Sequence, residues 1–324
     1  MTNGVPFSID APLPKEMAIR AENIGVAKAG LAASRMFALS VLAGAFIAMG
    51  ANFATTVWAQ LAGTGVPYGI QRLLGGLVFS IGLIMVVIGG SELFTGNCLM
   101  PIARASKRVS TGAMLRNWTI VYAGNFVGSV LSALLVFLGG QHKFGGGSVG
   151  LSALNIAVAK TSLDFTACLA LGILCNALVC MAVWMCFSAR SNSDKVLVII
   201  PPVSAFVACG FEHCVANMYF IPLAIFIKNF DPAYFATVAE KLTDGGRMLT
   251  WGNFIVRNLI PSTIGNIIGG GFMVGLMYWF IYLRPDLAGK TVKAEAAQAR
   301  ELQFDLTTKA GALRSRGKPD RGEH

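Results

Sequence analysis

The amino-acid sequence predicts an all-α membrane protein with six transmembrane helices arranged as two inverted three-helix repeats. Three observations lead to this fold class: long apolar stretches, a polar motif that occurs twice, and Lys and Arg concentrated in alternate loops. Hydrophobic residues make up 55% of the 324 positions and charged residues only 13%. A soluble domain of this length would need far more charge to cover its surface.

The predicted crossings come from stretch length, because about 20 mostly apolar residues in a helix span a bilayer core. Four stretches reach that length without a single charge: Met36–Leu61, Asn117–Gln141, Phe165–Ala189 and Asn258–Leu283. Two further stretches, Leu73–Ala103 and Val196–Ile227, are also long enough, but charged or polar residues interrupt each near its middle. The sequence therefore predicts six crossings with broken second and fifth helices.

Charge distribution predicts the orientation. A net charge of +10 could indicate a protein that binds nucleic acid. The cations are instead distributed among the loops as the positive-inside rule of membrane proteins describes. The loops that would face the cytoplasm carry Arg104, Lys107, Arg108, Arg116, Arg190 and Lys195, and the tail is also basic. We expect both termini in the cytoplasm and no nucleic-acid partner. The N-terminal segment holds no apolar run typical of a cleavable signal peptide.

Three regions follow from this pattern. Residues 1–35 are predicted to be a cytoplasmic N-terminal segment with an amphipathic helix, 36–284 the six-helix transmembrane domain, and 285–324 a basic cytoplasmic tail. All seven cysteines fall in apolar stretches and none forms a C-x-x-C pair, which is typical of small apolar helix residues. We expect no disulfide, no metal and no cofactor.

The interrupted stretches carry an internal repeat. Gly90–Asn97 and Gly210–Asn217 both read G-x-E-x-x-x-x-N, and each is followed by a proline. The next crossings match as well, with the Gly-Asn-x-x-Gly pattern of 124–128 repeated at 265–269. Because each unit has three crossings, the second copy is predicted to be inverted. Paired broken helices in such repeats indicate a transport site. The alternative is that the duplication and the breaks have only a structural role.

Three ionisable residues lie within the broken stretches: Glu92, Glu212 and His213. A charge at the bilayer centre costs at least about 2.5–3.5 kcal/mol, so each needs a role or a partner. The glutamates are repeat-equivalent, and we interpret them, with Asn97 and Asn217, as support for the break, the carboxylates accepting backbone N–H bonds there.

Two of the positions at which the copies differ mark a functional candidate. His213 corresponds to Leu93, and Thr95 corresponds to Val215. A histidine can donate a hydrogen bond to an anion and exchange a proton, and the Thr95 hydroxyl could face it across the pseudo-axis. The alternative is a satisfied core histidine.

Such a site would suit anions that can be protonated. Moving a carboxylate-sized ion into low dielectric costs of order 20 kcal/mol in the idealised limit, and a proton reduces this sharply. Lys160, on the predicted outer side, could attract anions or be an ordinary solvated charge. Phe79, Leu83, Phe94 and Phe206 could form hydrophobic constrictions or simply pack in the core.

These motifs resemble the formate/nitrite transporter family, and most of all its FocA-type formate channels. The resemblance rests on Gly90–Asn97, on GFEHCVANMY at Gly210–Tyr219 and on NLIPSTIGNIIGGG at Asn258–Gly271, within a match from about Pro12 to Arg284. It implies an aquaporin-like subunit fold, a homopentamer in the bacterial inner membrane and one pore per subunit. Cys214 departs from the family, which often has serine there, and the tail is longer than usual.

The resemblance also implies roles for individual residues. It puts His213 and Thr95 at the pore centre with Asn176 and Asn266 as nearby polar lining. The apolar constrictions would be formed by Phe79, Leu83, Phe94, Val179 and Phe206. The N-terminal segment is similar to the family's mobile cytoplasmic helix, which gates the pore in response to pH.

The predicted function is a channel or transporter for small monovalent weak-acid anions, formate first, with His213 enabling pH-dependent or proton-coupled passage. Nitrite or hydrosulfide are alternatives within the family. A neutral-solute pore of the aquaporin type is disfavoured because both Asn-Pro-Ala motifs are absent. An intramembrane metalloenzyme is disfavoured because there is no H-E-x-x-H motif and no second histidine within a predicted span.

Overall fold

The computed structural model describes residues 10–59, 61 and 64–285, and within them it is built from helices. In chain order the helices are α1 (Pro14–Ala29), α2 (Ala33–Trp58), α3 (Tyr68–Gly89), α4 (Phe94–Asn97), α5 (Pro101–Ala105), α6 (Thr111–Leu138), α7 (Ser148–Thr161), α8 (Phe165–Ser188), α9 (Asn192–Ala208), α10 (Cys214–Phe230), α11 (Pro232–Val238) and α12 (Trp251–Tyr282). Short 3-10 turns lie at Gln141–Lys143 and Ala239–Lys241. The all-α fold class is confirmed.

Five of the described helices are long and apolar enough to cross a membrane: α2, α3, α6, α8 and α12. The predicted fifth crossing is divided between α9 and α10, which have 17 residues each. The second is divided unequally, because α3 alone has 22 residues and only the short α4 and α5 follow it. At about 1.5 Å per residue α3 spans roughly 33 Å, so its break comes at the end of a full-length helix.

Helices α3 and α9 pack against each other in antiparallel directions. Arg72, near the start of α3, donates through Nη2 to the Val207 carbonyl near the end of α9 at 2.6 Å. Along the contact, a Cβ built on Gly76 would lie 2.6 Å from the Ser204 carbonyl oxygen, so only glycine fits there. The breaks that follow α3 and α9 therefore lie at opposite ends of this helix pair.

The helices that follow each break pack closely on the helices that begin each half. A Cβ at Gly128 of α6 would overlap the Val41 carbonyl of α2, and one at Gly269 of α12 would overlap the Ile173 carbonyl of α8. These glycines are repeat-equivalent, and both allow two backbones to approach without an intervening side chain. Close packing of α2 with α6 and of α8 with α12 thus holds the two breaks in matching surroundings.

The N-terminal helix α1 is packed onto the bundle. Its residues Met17, Ala18 and Ala21 are buried, and Arg20 Nη1 donates to the Phe187 carbonyl at the end of α8 at 2.9 Å. Most of the predicted segment 1–35 therefore has a defined position, while residues 1–9 lie outside the described part. The predicted tail lies outside it too, apart from residue 285.

Candidate functional site

Each break begins at a glycine with left-handed backbone geometry. Gly90 ends α3 with a φ of 74°, and Gly210 follows α9 with a φ of 72°. Residues other than glycine rarely adopt this conformation, so both glycines of the repeated motif are explained. The chain then continues without helix for three residues before α4 and α10 begin at Phe94 and Cys214.

The first break is held by a polar network around Glu92. Lys28 Nζ of α1 donates to Glu92 Oε1 at 2.7 Å, and Asn97 Nδ2 donates to Glu92 Oε2 at 2.7 Å. The same Asn97 amide also donates to Asn117 Oδ1 at 2.8 Å, and Asn117 Nδ2 donates to the Lys28 carbonyl at 3.3 Å. Glu92 is only 5% exposed, and the bonds from Lys28 and Asn97 satisfy its charge inside the protein.

The second break repeats this network around Glu212. Lys160 Nζ of α7 donates to Glu212 Oε1 at 2.8 Å, and Asn217 Nδ2 donates to Oε2 at 2.7 Å. Asn217 also donates to Asn258 Oδ1 at 2.7 Å, and Asn258 Nδ2 donates to the Lys160 carbonyl at 3.1 Å. The internal repeat therefore extends beyond the predicted three helices, because α1 and α7 are also equivalent.

The backbone groups freed at the breaks are bonded by asparagines rather than by the glutamates. Asn125 Oδ1 accepts from the Phe94 N–H at 2.9 Å, and Asn266 Oδ1 accepts from the Cys214 N–H at 3.0 Å. Their Nδ2 groups also donate to the Glu92 and Glu212 carbonyls, each at 2.9 Å. We expected the carboxylates to take this role, but they bind lysine and asparagine side chains instead.

His213 and Thr95 meet across the two halves. His213 Nε2 lies 3.1 Å from Thr95 Oγ1, and His213 Nδ1 accepts from the Ala216 N–H at 3.1 Å. A ring nitrogen that accepts a hydrogen bond carries no proton, so a neutral His213 holds its proton on Nε2 and donates to Thr95. The Phe206 ring stacks on the imidazole with centroids 5.7 Å apart.

Asn176 bonds the backbone next to this pair. Its Nδ2 donates to the Thr95 carbonyl at 3.2 Å and to the Asn266 carbonyl at 2.6 Å. Asn176 and Asn266 are fully buried, and neither lines the two cavities described below. Both were expected as polar lining, whereas their observed contacts fix the backbone around Thr95 and His213.

Two cavities approach the His213–Thr95 pair. The Glu92 cavity has a volume of about 250 Å³, and its charged lining consists of Arg20, Lys28, Lys195 and Glu92. The Glu212 cavity has a volume of about 240 Å³, and its charged lining consists of Arg72, Lys160 and Glu212. Cations outnumber carboxylates in both, three to one and two to one. His213 lines the Glu212 cavity, and Thr95 lines neither.

Apolar side chains separate the cavities. Phe79 and Phe206 line the Glu212 cavity with ring centroids 5.7 Å apart, while Leu83 lines the Glu92 cavity. Phe79 and Leu83 are four residues apart on α3, so about 6 Å of helix separates them. Phe94 and Val179, also predicted as constrictions, line neither cavity, and Phe94 packs on Tyr122 with centroids 4.9 Å apart.

Several residues of the site were not identified from the sequence. Lys28, Asn117, Asn125 and Asn258 complete the two networks, and Arg72 lies in the Glu212 cavity. The Gly-Asn-x-x-Gly repeat contained Asn125 and Asn266, but sequence alone did not assign their side chains to the breaks. The residues described include no group of three or more His, Cys, Asp or Glu side chains placed to hold a metal ion.

Comparison with known proteins matches this architecture. A family model described as formate/nitrite transporter matches residues 15–280. The chain is 45% identical over 282 residues to the formate channel FocA of Escherichia coli (strain K12), covering 87% of this chain and 97% of the relative. A solved pentameric formate channel with formate bound is 47% identical, with a TM-score of 0.72 over 78% of this chain and 98% of that chain. A solved FNT family ion channel is 30% identical, with a TM-score of 0.68 over 82% and 98%.

Proposed function

We propose that this chain, which belongs to the formate/nitrite transporter family, conducts small monovalent weak-acid anions, with formate as the favoured substrate. The observation that carries the proposal is the His213–Thr95 pair. His213 lines the Glu212 cavity beside the apolar side chains that separate it from the Glu92 cavity, and both cavities have an excess of cations. The similarity to formate channels supports the choice of formate.

The first step is accumulation of anions in a cavity. The excess of Lys and Arg over Glu in each cavity gives a positive potential, and low-dielectric walls focus it. Anions are thereby concentrated, and cations are repelled, before any side chain of the barrier is reached.

The second step is passage of the barrier. The Nε2 proton of neutral His213 bonds to an oxygen of the anion, which replaces Thr95 as the acceptor. A proton from solvent joins the anion and removes most of the cost of entering the apolar segment. Because the Ala216 N–H occupies Nδ1, His213 acts here as a neutral donor, and protonation at Nδ1 requires that bond to break.

We propose the same assembly and location as its relatives, a homopentamer in the bacterial inner membrane with both termini in the cytoplasm. A solved relative is pentameric, and this chain exposes large apolar side chains along its long helices, including Leu131, Leu135 and Phe272. Such faces need lipid or neighbouring subunits to cover them.

Uptake of radiolabelled formate into proteoliposomes tests the function. We expect saturable uptake that rises as external pH falls, and competition from nitrite and hydrosulfide measured beside lactate and acetate. Empty liposomes control for leakage of the neutral acids. Uptake no faster than in empty liposomes across the pH range would rule out the proposed channel.

A further inference from the structure

Arg72 occupies a fixed position where α3 begins at the Glu212 cavity. Its guanidinium lies 4.4 Å from the centroid of the Trp58 ring. Its Nη2 donates to the Val207 carbonyl at 2.6 Å, and its Nε donates to the Ala208 carbonyl at 3.3 Å. Trp58 is itself held, because its Nε1 donates to the Gln71 carbonyl at 2.9 Å. The guanidinium plane is therefore oriented before any ligand arrives.

The charge of Arg72 is not offset as that of Lys160 is. Lys160 Nζ lies 2.8 Å from Glu212 Oε1 in a pair whose side chains are 15% and 3% exposed. Arg72 forms no ion pair within the described part of the chain and bonds two backbone carbonyls instead. The uncompensated positive charge of the Glu212 cavity is therefore that of Arg72 rather than that of Lys160.

The guanidinium also keeps hydrogen-bond donors for a ligand. Of its five N–H groups, the bonds to Val207 and Ala208 use one on Nη2 and the one on Nε. The other three N–H groups, two on Nη1 and one on Nη2, make no hydrogen bond within the described residues, so each terminal nitrogen keeps a donor and the two can form a fork. This fork matches two oxygens of a planar anion, whereas a lysine ammonium acts as a point charge.

We propose that Arg72 is the capture site of the Glu212 cavity and that it selects planar anions with two oxygens, such as formate and nitrite, over single-centre anions such as hydrosulfide. This inference rests on the proposed function and adds to it a selectivity step that precedes His213. Arg72 binds the anion through the unused donors of Nη1 and Nη2, and the anion then moves inward towards His213 in the same cavity.

A competing role for Arg72 is purely structural. Carbonyls of the last helical turn lack partners within the helix, and Arg72 satisfies two of them at the end of α9. Arg20 does the same for the Phe187 carbonyl at the end of α8, in the Glu92 cavity. The Arg20→Lys variant is therefore a matched control for the loss of a helix-end hydrogen bond.

The test compares Arg72→Lys and Arg72→Gln with the unchanged protein in sealed vesicles, with uptake measured from the Glu212 side. For Arg72→Lys we expect the KM for formate and nitrite to rise about three- to tenfold, as for loss of one charge-assisted bond at a partly exposed site. Its KM for hydrosulfide should change less than twofold, and Vmax should be retained. Arg72→Gln should raise the KM for all three anions. Arg20→Lys should not change the ratio of formate to hydrosulfide KM.

Three results would overturn the inference. One is an unchanged formate KM in both Arg72 variants, and another is an equal rise for formate and hydrosulfide in Arg72→Lys. The third is a lower Tm and Vmax at constant KM, which the purely structural role predicts. If the unchanged protein transports none of the anions, the proposed function itself fails and the inference fails with it. Unchanged KM values in variants of an active protein reject the inference alone.

Discussion

The two helix breaks have the same frame but hold different residues at their centres. Around Glu92 and Glu212, a lysine and two asparagines bond the carboxylate or each other at distances that differ little between the halves. Inside the frame, Thr95 stands in one half where the other has Val215, and His213 stands where the first has Leu93. The shared residues build the break, and the pair that differs forms one site to which each half gives one residue.

The two halves also differ in the side chain that bonds the carbonyl of Thr95 or of its counterpart Val215. Asn176 of α8 donates to the Thr95 carbonyl, while its counterpart on α2 is Gly44. In the first half the polar group comes from α6 instead, where Ser129 Oγ donates to the Val215 carbonyl at 3.4 Å. Each half therefore holds the other half's break, but the bond to Thr95 is the shorter one.

The largest expected effect is a loss of stability when the glutamate at the centre of either polar network is removed. In Glu212→Ala, Lys160 is left partly buried without a partner, which should lower the free energy of unfolding by about 2–4 kcal/mol. Glu92→Ala should cost less, because the Lys28 side chain is 24% exposed and that of Lys160 only 15%. Thermal unfolding of the purified proteins measures both. Addition of Lys160→Ala to Glu212→Ala should restore part of the loss, and an unrestored double variant would contradict the ion-pair explanation.

A smaller loss of stability is expected when Asn176, which bonds the Thr95 carbonyl, is replaced. Asn176→Ala removes two hydrogen bonds from fully buried carbonyl groups and should reduce stability by about 1–3 kcal/mol. It should also lower the maximal rate of formate uptake, because the position of Thr95 is no longer fixed. Ser129→Ala is the control, since its bonds of 3.2 and 3.4 Å are longer. Equal losses of uptake in the two variants would show that Thr95 needs no such support.

The smallest effect is expected at the far end of α10. Asp231 accepts from Lys143 at 2.8 Å and from His142 at 3.0 Å. These bonds, with one from the Tyr234 N–H, hold the pKa of Asp231 well below its ordinary value. A lowered pKa stabilises the fold above the ordinary value of about 4 and loses that effect as pH falls through the lowered value.

The Asp231→Asn variant should therefore unfold about 2 °C lower at pH 7, with the difference shrinking below pH 4. Thermal unfolding curves of the variant and the unchanged protein, recorded at pH 7 and below pH 4, measure this difference. Glu240→Gln is a control for loss of a nearby charge. A difference that grows in acid would mean that the sign assigned to Asp231 is wrong.

The sequence was sufficient for the symmetric part of the site and insufficient for side-chain directions. The doubled G-x-E-x-x-x-x-N motif predicted both breaks, and the mismatch with Leu93 pointed to His213. Lys28 was missed because it lies on another helix, 64 positions before Glu92, where no local motif connects the two. The resemblance to the family placed Asn266 in the lining, and the sequence does not show that its amide turns towards the Cys214 N–H and the Glu212 carbonyl.

Boundaries of the broken helices also depended on packing. The motif that begins at Gly90 indicated where α3 ends, but the apolar stretch 73–103 gave no sign that the helix would begin at Tyr68. The first turns of α3 contact the last turns of the antiparallel α9, through Arg72 and through the close approach at Gly76. Such a contact between distant segments cannot be read from local composition.

The most direct measurement is formate uptake between pH 5.5 and 7.5 by the unchanged protein and by His213→Leu, which gives the second break the residue of the first. Both proteins are first compared by gel filtration and thermal unfolding, and His213→Gln, which keeps a side-chain donor, serves as a second variant. We predict uptake that rises with acidity in the unchanged protein and falls at least tenfold in His213→Leu, with His213→Gln between them. Wild-type rates and pH dependence in a correctly assembled His213→Leu would contradict the assignment of the site to the asymmetric pair.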